Sequence, residues 1–221
     1  MKAILLFFVI IGAIGMLWYT DAESRSIDFL SASEKEGNII DSILDHRDGK
    51  WYNIIRVDSL LWFNENLSFN STNSEVIKLG GDVNSINIRV YSFEDSKEAC
   101  PSGWRLPTVK EFDNLIAAVF DTIYTGMATL PYNWKTINSN PIGFRFDQTG
   151  FLHRKKVKSR ESFNLWLGDM DIRNAYHVHM YDTNRKDERE NLTVFRHTHE
   201  KHKPKKNRKF PIRCVCEART Q

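Results

Sequence analysis

Ser92-Phe-Glu-Asp-Ser-Lys-Glu-Ala-Cys100-Pro-Ser-Gly-Trp-Arg-Leu-Pro107-Thr-Val-Lys-Glu-Phe112 carries the strongest local structural signals in the chain. Ser92 is placed to cap a short helix from Phe93, and Pro101 disfavours helical backbone at Cys100, so that helix ends there. Phe93, Ser96 and Cys100 share its face, which aims the cysteine inward. Thr108 and Glu111 form a capping box for a second helix, with Pro107 and Phe112 spaced as its hydrophobic staple. Val109, Phe112, Leu115, Ile116 and Val119 recur at helical spacing, predicting an amphipathic helix over Val109–Phe120.

The flanks read as β-structure. Upstream, Ile39–Leu44 and Trp51–Val57 read as strands joined by an Asp48-Gly49-Lys50 turn. Asp58-Ser59 turns the chain into a further strand, Leu60–Phe63, and residues 66–85 read as a polar surface loop. Downstream, Gly143–Phe146 and Gly150–Leu152 are expected as short strands around Asp147-Gln148. Phe163–Leu167 and Ala175–Tyr181 follow as strands. Asn191–His199 and Arg208–Cys216 are expected to pair as a terminal hairpin, with Phe210, Ile212, Cys214 and Cys216 on its buried face. No internal repeat is visible.

The chain has 221 residues, 41% hydrophobic and 12% aromatic, a globular composition that excludes a disordered tail or a multi-pass membrane protein. Met1-Lys2 is followed by an uncharged run from Ala3 to Thr20. That reads as a signal peptide over 1–22, with Thr20 and Ala22 as the small residues before a cut, or as an uncleaved membrane anchor of the same extent. Residues 23–38 read as a tether and 39–218 as one domain. The folded part is expected outside the cytoplasm: secreted, periplasmic or on the cell surface, touching a membrane only through an uncleaved N-terminus.

Three cysteines are too few for a four-cysteine zinc site. In an exported chain they read as one disulfide and one thiol. Cys214 and Cys216, two apart on a strand, point the same way and are poorly placed to bond each other. Cys100 is therefore expected to bridge to this strand, at Cys214 or alternatively at Cys216.

Taken together, these residues show a resemblance to a known family. Asp48-Gly-Lys-Trp-Tyr52, Trp62-Phe-Asn-Glu-Asn-Leu67, Cys100-Pro-Ser-Gly-Trp-Arg-Leu-Pro107, Gly143-Phe144, Trp166 and Ile212-Arg-Cys-Val215 resemble, in order and spacing, the Fibrobacter succinogenes major paralogous domain family. The likeness covers Asp45–Glu217, and its most specific block is Cys100–Pro107. The chain departs at Phe63-Asn64, where the family usually has Met-Ala. The resemblance implies an α+β, C-type lectin-like fold: two helices packed on small antiparallel sheets, with the termini brought together. It implies structural roles for Trp62, Gly103, Trp104, Leu106, Pro107 and Trp166, and a bridge from the first helix to the last strand, which selects Cys100–Cys214. It also implies a bacterial surface-binding module.

Candidate sites are few. Asp169 and Asp171 after Trp166 are the one nearby carboxylate pair for calcium, and the lectin patterns Glu-Pro-Asn and Gln-Pro-Asp are absent. His177 and His179 share a strand face and could reach one metal, with His153 as a possible third ligand; a half-exposed strand face explains them as well. No cofactor other than calcium is suggested.

Net charge is +3, yet Arg196–Lys209 alone carries seven basic residues and one acid. Lys201, Lys203, Lys205, Lys206, Arg208 and Lys209 are thus candidate contacts for an anionic partner, in competition with a plain solvated loop. The stretch lacks the interleaved aromatics that nucleic-acid stacking needs. No nucleophile elbow, HExxH or phosphate loop occurs, so a non-enzymatic module is expected. Its ligand is expected to be a surface glycan or protein, met by exposed aromatics and polar loops between Asp121 and Asp171. The competing expectation is an envelope assembly component docking through residues 196–209.

Overall fold

The computed structural model describes residues 29–31, 39–80, 85–120, 127–130, 134–158, 161–170, 174–182, 192–200 and 208–218. The architecture is α+β, with helices packed on small antiparallel sheets. The N-terminal half forms β1 (Phe29–Ser31), β2 (Ile39–Asp45), β3 (Lys50–Val57), β4 (Leu60–Phe63), β5 (Glu75–Leu79) and β6 (Ile86–Val90). Next come α1 (Phe93–Ala99), α2 (Val109–Phe120), β7 (Met127–Leu130) and the single turn α3 (Trp134–Ile137). The chain ends with β8 (Phe151–His153), β9 (Lys156–Lys158), β10 (Phe163–Met170), β11 (Asn174–Asp182), β12 (Leu192–Glu200), β13 (Arg208–Lys209) and β14 (Val215–Glu217).

One sheet runs β1-β2-β3-β4-β14, so the first and last strands lie in the same sheet. A second runs β10-β11-β12-β7, a third β13-β8-β9, and β5-β6 form a ribbon. The signal or anchor segment over 1–22 lies outside the described residues, and among those residues no helix is long and apolar enough to cross a membrane. Within the stretch read as a tether, Phe29–Ser31 adds an edge strand against Asp41–Ile43.

Both helices have the expected ends. The Ser92 side chain accepts from Asp95 N–H at 3.2 Å, and α1 stops before Cys100 with extended backbone. Its last carbonyls are closed by Arg47, which donates to Ala99 and Cys100 while gripping the buried Asp45 carboxylate at 2.7 and 2.9 Å. A cation is favoured at that end of a helix. At α2 the capping box is complete, since Thr108 N–H donates to Glu111 at 2.7 Å and Glu111 N–H to Thr108 Oγ1 at 3.2 Å. Between the helices, Trp104 N–H donates to Pro101 O and Gly103 sits at φ +80°, where a β-carbon would be strained.

The two sheets separate two cores. α2 buries Phe112, Leu115, Ile116, Val119 and Phe120 against Ile55, Trp62, Leu165, Val178 and Val215. Burying each such side chain stabilises by at most about 1.5–3 kcal/mol. On the other side, α1 packs Phe93, Ala99 and Cys100 with Tyr52, Ile54, Phe63, Trp166, Phe210 and Cys214. Neighbours along one strand therefore go to opposite cores: Ile54 and Ile55, Trp62 and Phe63, Leu165 and Trp166. Burial on both faces is why these strands read as continuous apolar runs.

The family-like block is the seam. Trp104 lies tilted on Phe63 at 4.7 Å, and Leu106 and Pro107 are buried. Gly168 N–H donates to Pro107 O at 2.8 Å, and a β-carbon on Gly168 would meet Leu106 at 3.2 Å. The pair Phe63-Asn64 is structural as well. Phe63 stacks on Tyr52 at 4.7 Å, while buried Asn64 clamps Gly143 O and Arg145 N–H at 3.0 and 2.9 Å.

Four sequence readings are corrected. The expected loop 66–85 contains β5 and, across residues 81–84, leads to β6, because Val76–Leu79 and Ile86–Val90 carry enough β-branched residues to pair. Residues 143–146 are irregular, their polar backbone held by Asn64, Asn138 and Asn140 side chains. No terminal hairpin forms: β12 pairs with β11 and β7, whereas β13 pairs with β8 and β14 with β4. Pro211 lacks an N–H and divides the last stretch in two.

Nor is one face of that stretch exposed. Arg213 and Val215, which alternate with Ile212 and Cys214, are buried too. From Phe210 the chain threads between the cores, accepting from Tyr91 N–H (2.9 Å), Trp166 N–H (3.2 Å), Leu67 N–H (2.9 Å) and Phe63 N–H (3.0 Å) in turn. The Cys100–Cys214 disulfide closes this segment onto α1.

Candidate binding surface

The structure joins two basic stretches that lie far apart in sequence. β8 and β9 form a hairpin over Arg154-Lys155, and β13 adds on the outer edge of β8. Both turn residues have positive φ, +50° and +62°, matching a two-residue type I′ turn. The register places Arg208 opposite His153 and His153 opposite Lys156, with Lys158 opposite Phe151. Directly paired residues share a face, so His153, Lys156, Lys158 and Arg208 lie together. The opposite face carries Leu152 and Val157, which pack on Ile77, Leu79, Ile88 and Val90 of the β5–β6 ribbon.

This surface is strongly positive. Arg154, Lys155, Lys156 and Lys158 are exposed. Among the described residues, Lys155, Lys156 and Lys158 make no ion pair. The pKa of His153 is lowered, first by desolvation and then by Arg208, Arg154 and Lys158, and its buried Nε2 has no hydrogen-bond partner among the described residues. Burial also lowers the Arg208 pKa, its guanidinium lying 5.7 Å from the Phe151 ring centre. Lys209 faces the other way, pairing with Glu75 at 2.8 Å and donating to Asn73 O.

Of the candidate anionic-partner contacts, Arg208 therefore joins the cationic face and Lys209 does not, being held in an ion pair. Lys201, Lys203, Lys205 and Lys206 lie outside the described residues. The hairpin cations were missed in the sequence, although His153-Arg-Lys-Lys-Val-Lys-Ser-Arg160 carries five cations in eight residues and was legible as a basic run. Only the strand pairing reveals that it meets Arg208.

Among the described residues the metal candidates do not converge. The Asp169 carboxylate accepts from Val109 N–H at the start of α2, where the helix dipole favours an anion, and Asp171 lies outside the described residues. His177 is not on a half-exposed face. It is buried and stacked on Phe210 at 4.3 Å, because β11 is an interior strand with both faces covered. His179 Nδ1 shares a 2.7 Å hydrogen bond with Asn164 Oδ1. Among the described residues no three His, Cys, Asp or Glu side chains converge on a metal position.

Of the aromatics between Asp121 and Asp171, Tyr124 and Tyr132 lie outside the described residues and Trp134 is partly buried. Phe144, Phe146, Phe151, Phe163 and Trp166 are all buried, since residues 143–166 supply the interior of both cores. Trp166 donates its indole N–H to Tyr91 O at 2.8 Å. Trp62 lines a cleft of about 250 Å³ with Val57, Leu60, Thr108, Glu111 and Glu217. Arg105 braces its rim, bidentate to Glu111 at 2.6 and 2.8 Å.

Cys216, beyond the disulfide, is a half-buried thiol on β14. The fold and this surface define an α+β domain, disulfide-closed, with a segregated cationic sheet. Comparison with protein-family models, with curated proteins and with solved structures found no match.

Proposed function

We propose that the chain is an exported, non-enzymatic binding module of the bacterial cell envelope or secreted fraction. In this reading it is a C-type lectin-like member of the Fibrobacter succinogenes major paralogous domain family, and it takes a glycan or protein ligand at the cell surface. The Cys100–Cys214 bridge carries the reading, because such bonds persist in oxidising compartments and this one joins the first helix to the final segment. The order of the family-like motifs and the export-type N-terminus support it. Mass measurement of the mature exported protein, reduced and non-reduced, tests it: residues 1–22 are absent or retained as an anchor, and one disulfide is present. A glycan array and an envelope pull-down both coming back blank would sink the binding role.

A second reading, an envelope assembly component docking an anionic partner through residues 196–209, is favoured by the placement of Arg208 on the cationic sheet. Replacing Lys203, Lys205 and Lys206 with Gln then abolishes localisation. Unchanged localisation discards this second reading.

A further inference from the structure

We propose that the cationic rim of the β13-β8-β9 sheet, with Lys156, Lys158 and Arg208 beside the Arg154-Lys155 turn, binds an acidic polysaccharide. This deepens the binding-module reading, on which it rests for where the ligand is met, and places the contact on the hairpin 151–158 and on Arg208.

Three observations converge. First, Arg208, His153 and Lys156 stand abreast across three paired strands. Neighbouring strands lie about 5 Å apart, so Arg208 and Lys156 flank His153 from either side, and burial, then Arg208, Arg154 and Lys158, hold its pKa down. Second, the turn is occupied against conformational preference. Positions with positive φ in a two-residue hairpin favour Asn-Gly, yet Arg154 and Lys155 hold them at +50° and +62°. The chain thus carries two further cations where uncharged residues fit better, which links strain to a binding role. Third, the exposed charge is segregated: Leu152 and Val157 on the reverse face pack against the β5–β6 ribbon, and the one cation there, Lys209, is paired with Glu75.

The chemistry of the face selects among polyanions. The one ring on it, Phe151, is buried against Phe210 at 4.9 Å and offers no platform on which bases stack. Leu152 and Val157 point away from it, so the face has no apolar side chain to enter a lipid layer. Lysine ammonium groups are compact and rotatable, meeting carboxylates or sulfates without the fixed two-pronged geometry of arginine. A row of cations without rings or wedges suits a polymer that repeats its charge along an extended chain.

The test titrates the full chain with polygalacturonate at low salt. Uncharged dextran, oligothymidine and phosphatidylglycerol vesicles serve as parallel probes. Polygalacturonate is expected to bind and dextran not to, with affinity falling as salt is raised. K156Q/K158Q is expected to weaken binding about tenfold without lowering the melting temperature, since both lysines are exposed. R154N/K155G separates binding from folding: it relaxes the turn, so melting rises while binding weakens. The proposal is overturned if polygalacturonate does not bind, if oligothymidine or vesicles bind more tightly, or if neither variant weakens binding. Wild-type export is scored separately, so that failed export with intact binding rejects the compartment and not this surface.

Discussion

Arg213 and Arg208 lie on the same C-terminal segment, and the protein treats their charges in opposite ways. Arg213 is fully buried, yet its charge is answered: Asp147 accepts at 3.0 Å, Asn66 at 3.1 Å, and the Phe144 ring lies 4.6 Å from its guanidinium, with Nη1 making no hydrogen bond among the described residues. Burial nevertheless lowers its pKa to about 10, with Asp147 opposing the shift. Arg208 instead stands on the hairpin sheet amid Arg154, Lys156 and Lys158. The interior segment is organised around matching one cation, whereas the hairpin sheet gathers several. Matched charge belongs to the fold, and gathered charge makes a surface suited to an anion.

The largest way to break the first region is to cut its tether. The Cys100–Cys214 bridge spans 114 residues, and loop-closure entropy alone predicts about 4–5 kcal/mol of stabilisation. The double variant C100A/C214A should lose that amount in urea unfolding, and the wild type in reductant should fall with it. Next in size is D147N, which leaves Arg213 buried with its counter-charge gone and should cost about 3 kcal/mol. R213M removes both the charge and its desolvation, and by the same principle should cost well under half as much. Comparable losses from the two would show that Arg213 acts through its shape.

A third prediction separates the interior segment by pH. Burial raises the Tyr52 pKa to about 12 and pushes that of Tyr91, whose hydroxyl donates to Phe69 O at 2.7 Å, higher still. Their folded-state pKa values exceed the ordinary value near 10, so the unfolded chain ionises first. The stability they lend is complete below about pH 10 and declines as pH rises through 12. Arg213 has the reverse sign, since the unfolded chain holds its proton longer and the burial penalty eases above about pH 10. Stability measured from pH 9 to 12 should therefore fall less steeply in Y52F, and an identical slope would remove Tyr52 from the account.

How much of this was legible in the sequence depended on whether a signal was local. Caps, the proline stop and the α2 face are set within a few residues, and Ser92, Thr108–Glu111 and Phe112–Val119 behave as their spacing says. Pairing across the chain was not legible. Periodicity cannot show that Arg208–Lys209 leaves its expected hairpin for β8, nor that Pro211 splits the last strand. Composition does not report burial, so the expectation of exposed aromatics between Asp121 and Asp171 could not set Phe144, Phe146 and Phe151 aside as interior residues. His177 and His179 looked like ligands because an interior strand and a half-exposed one share the same alternation. At the candidate site, the basic residues were visible but their meeting was not.

The smallest effect bears most directly on the contrast between the two arginines. If the hairpin sheet holds its cations at the expense of the unliganded fold, reversing one of them should stabilise it. Lys156 is exposed and lies opposite His153, with Arg208 one strand further on. K156E exchanges like-charge crowding for attraction and should raise stability by about 0.5 kcal/mol at low salt. In about 1 M salt, where screening acts within roughly 3 Å, the gain should disappear. Polygalacturonate binding should weaken in the same variant, so that stability and affinity move in opposite directions from one side chain. A destabilised K156E would mean that Lys156 is already matched in the folded protein, and the hairpin sheet would then belong with Arg213 as part of the fold's own charge balance.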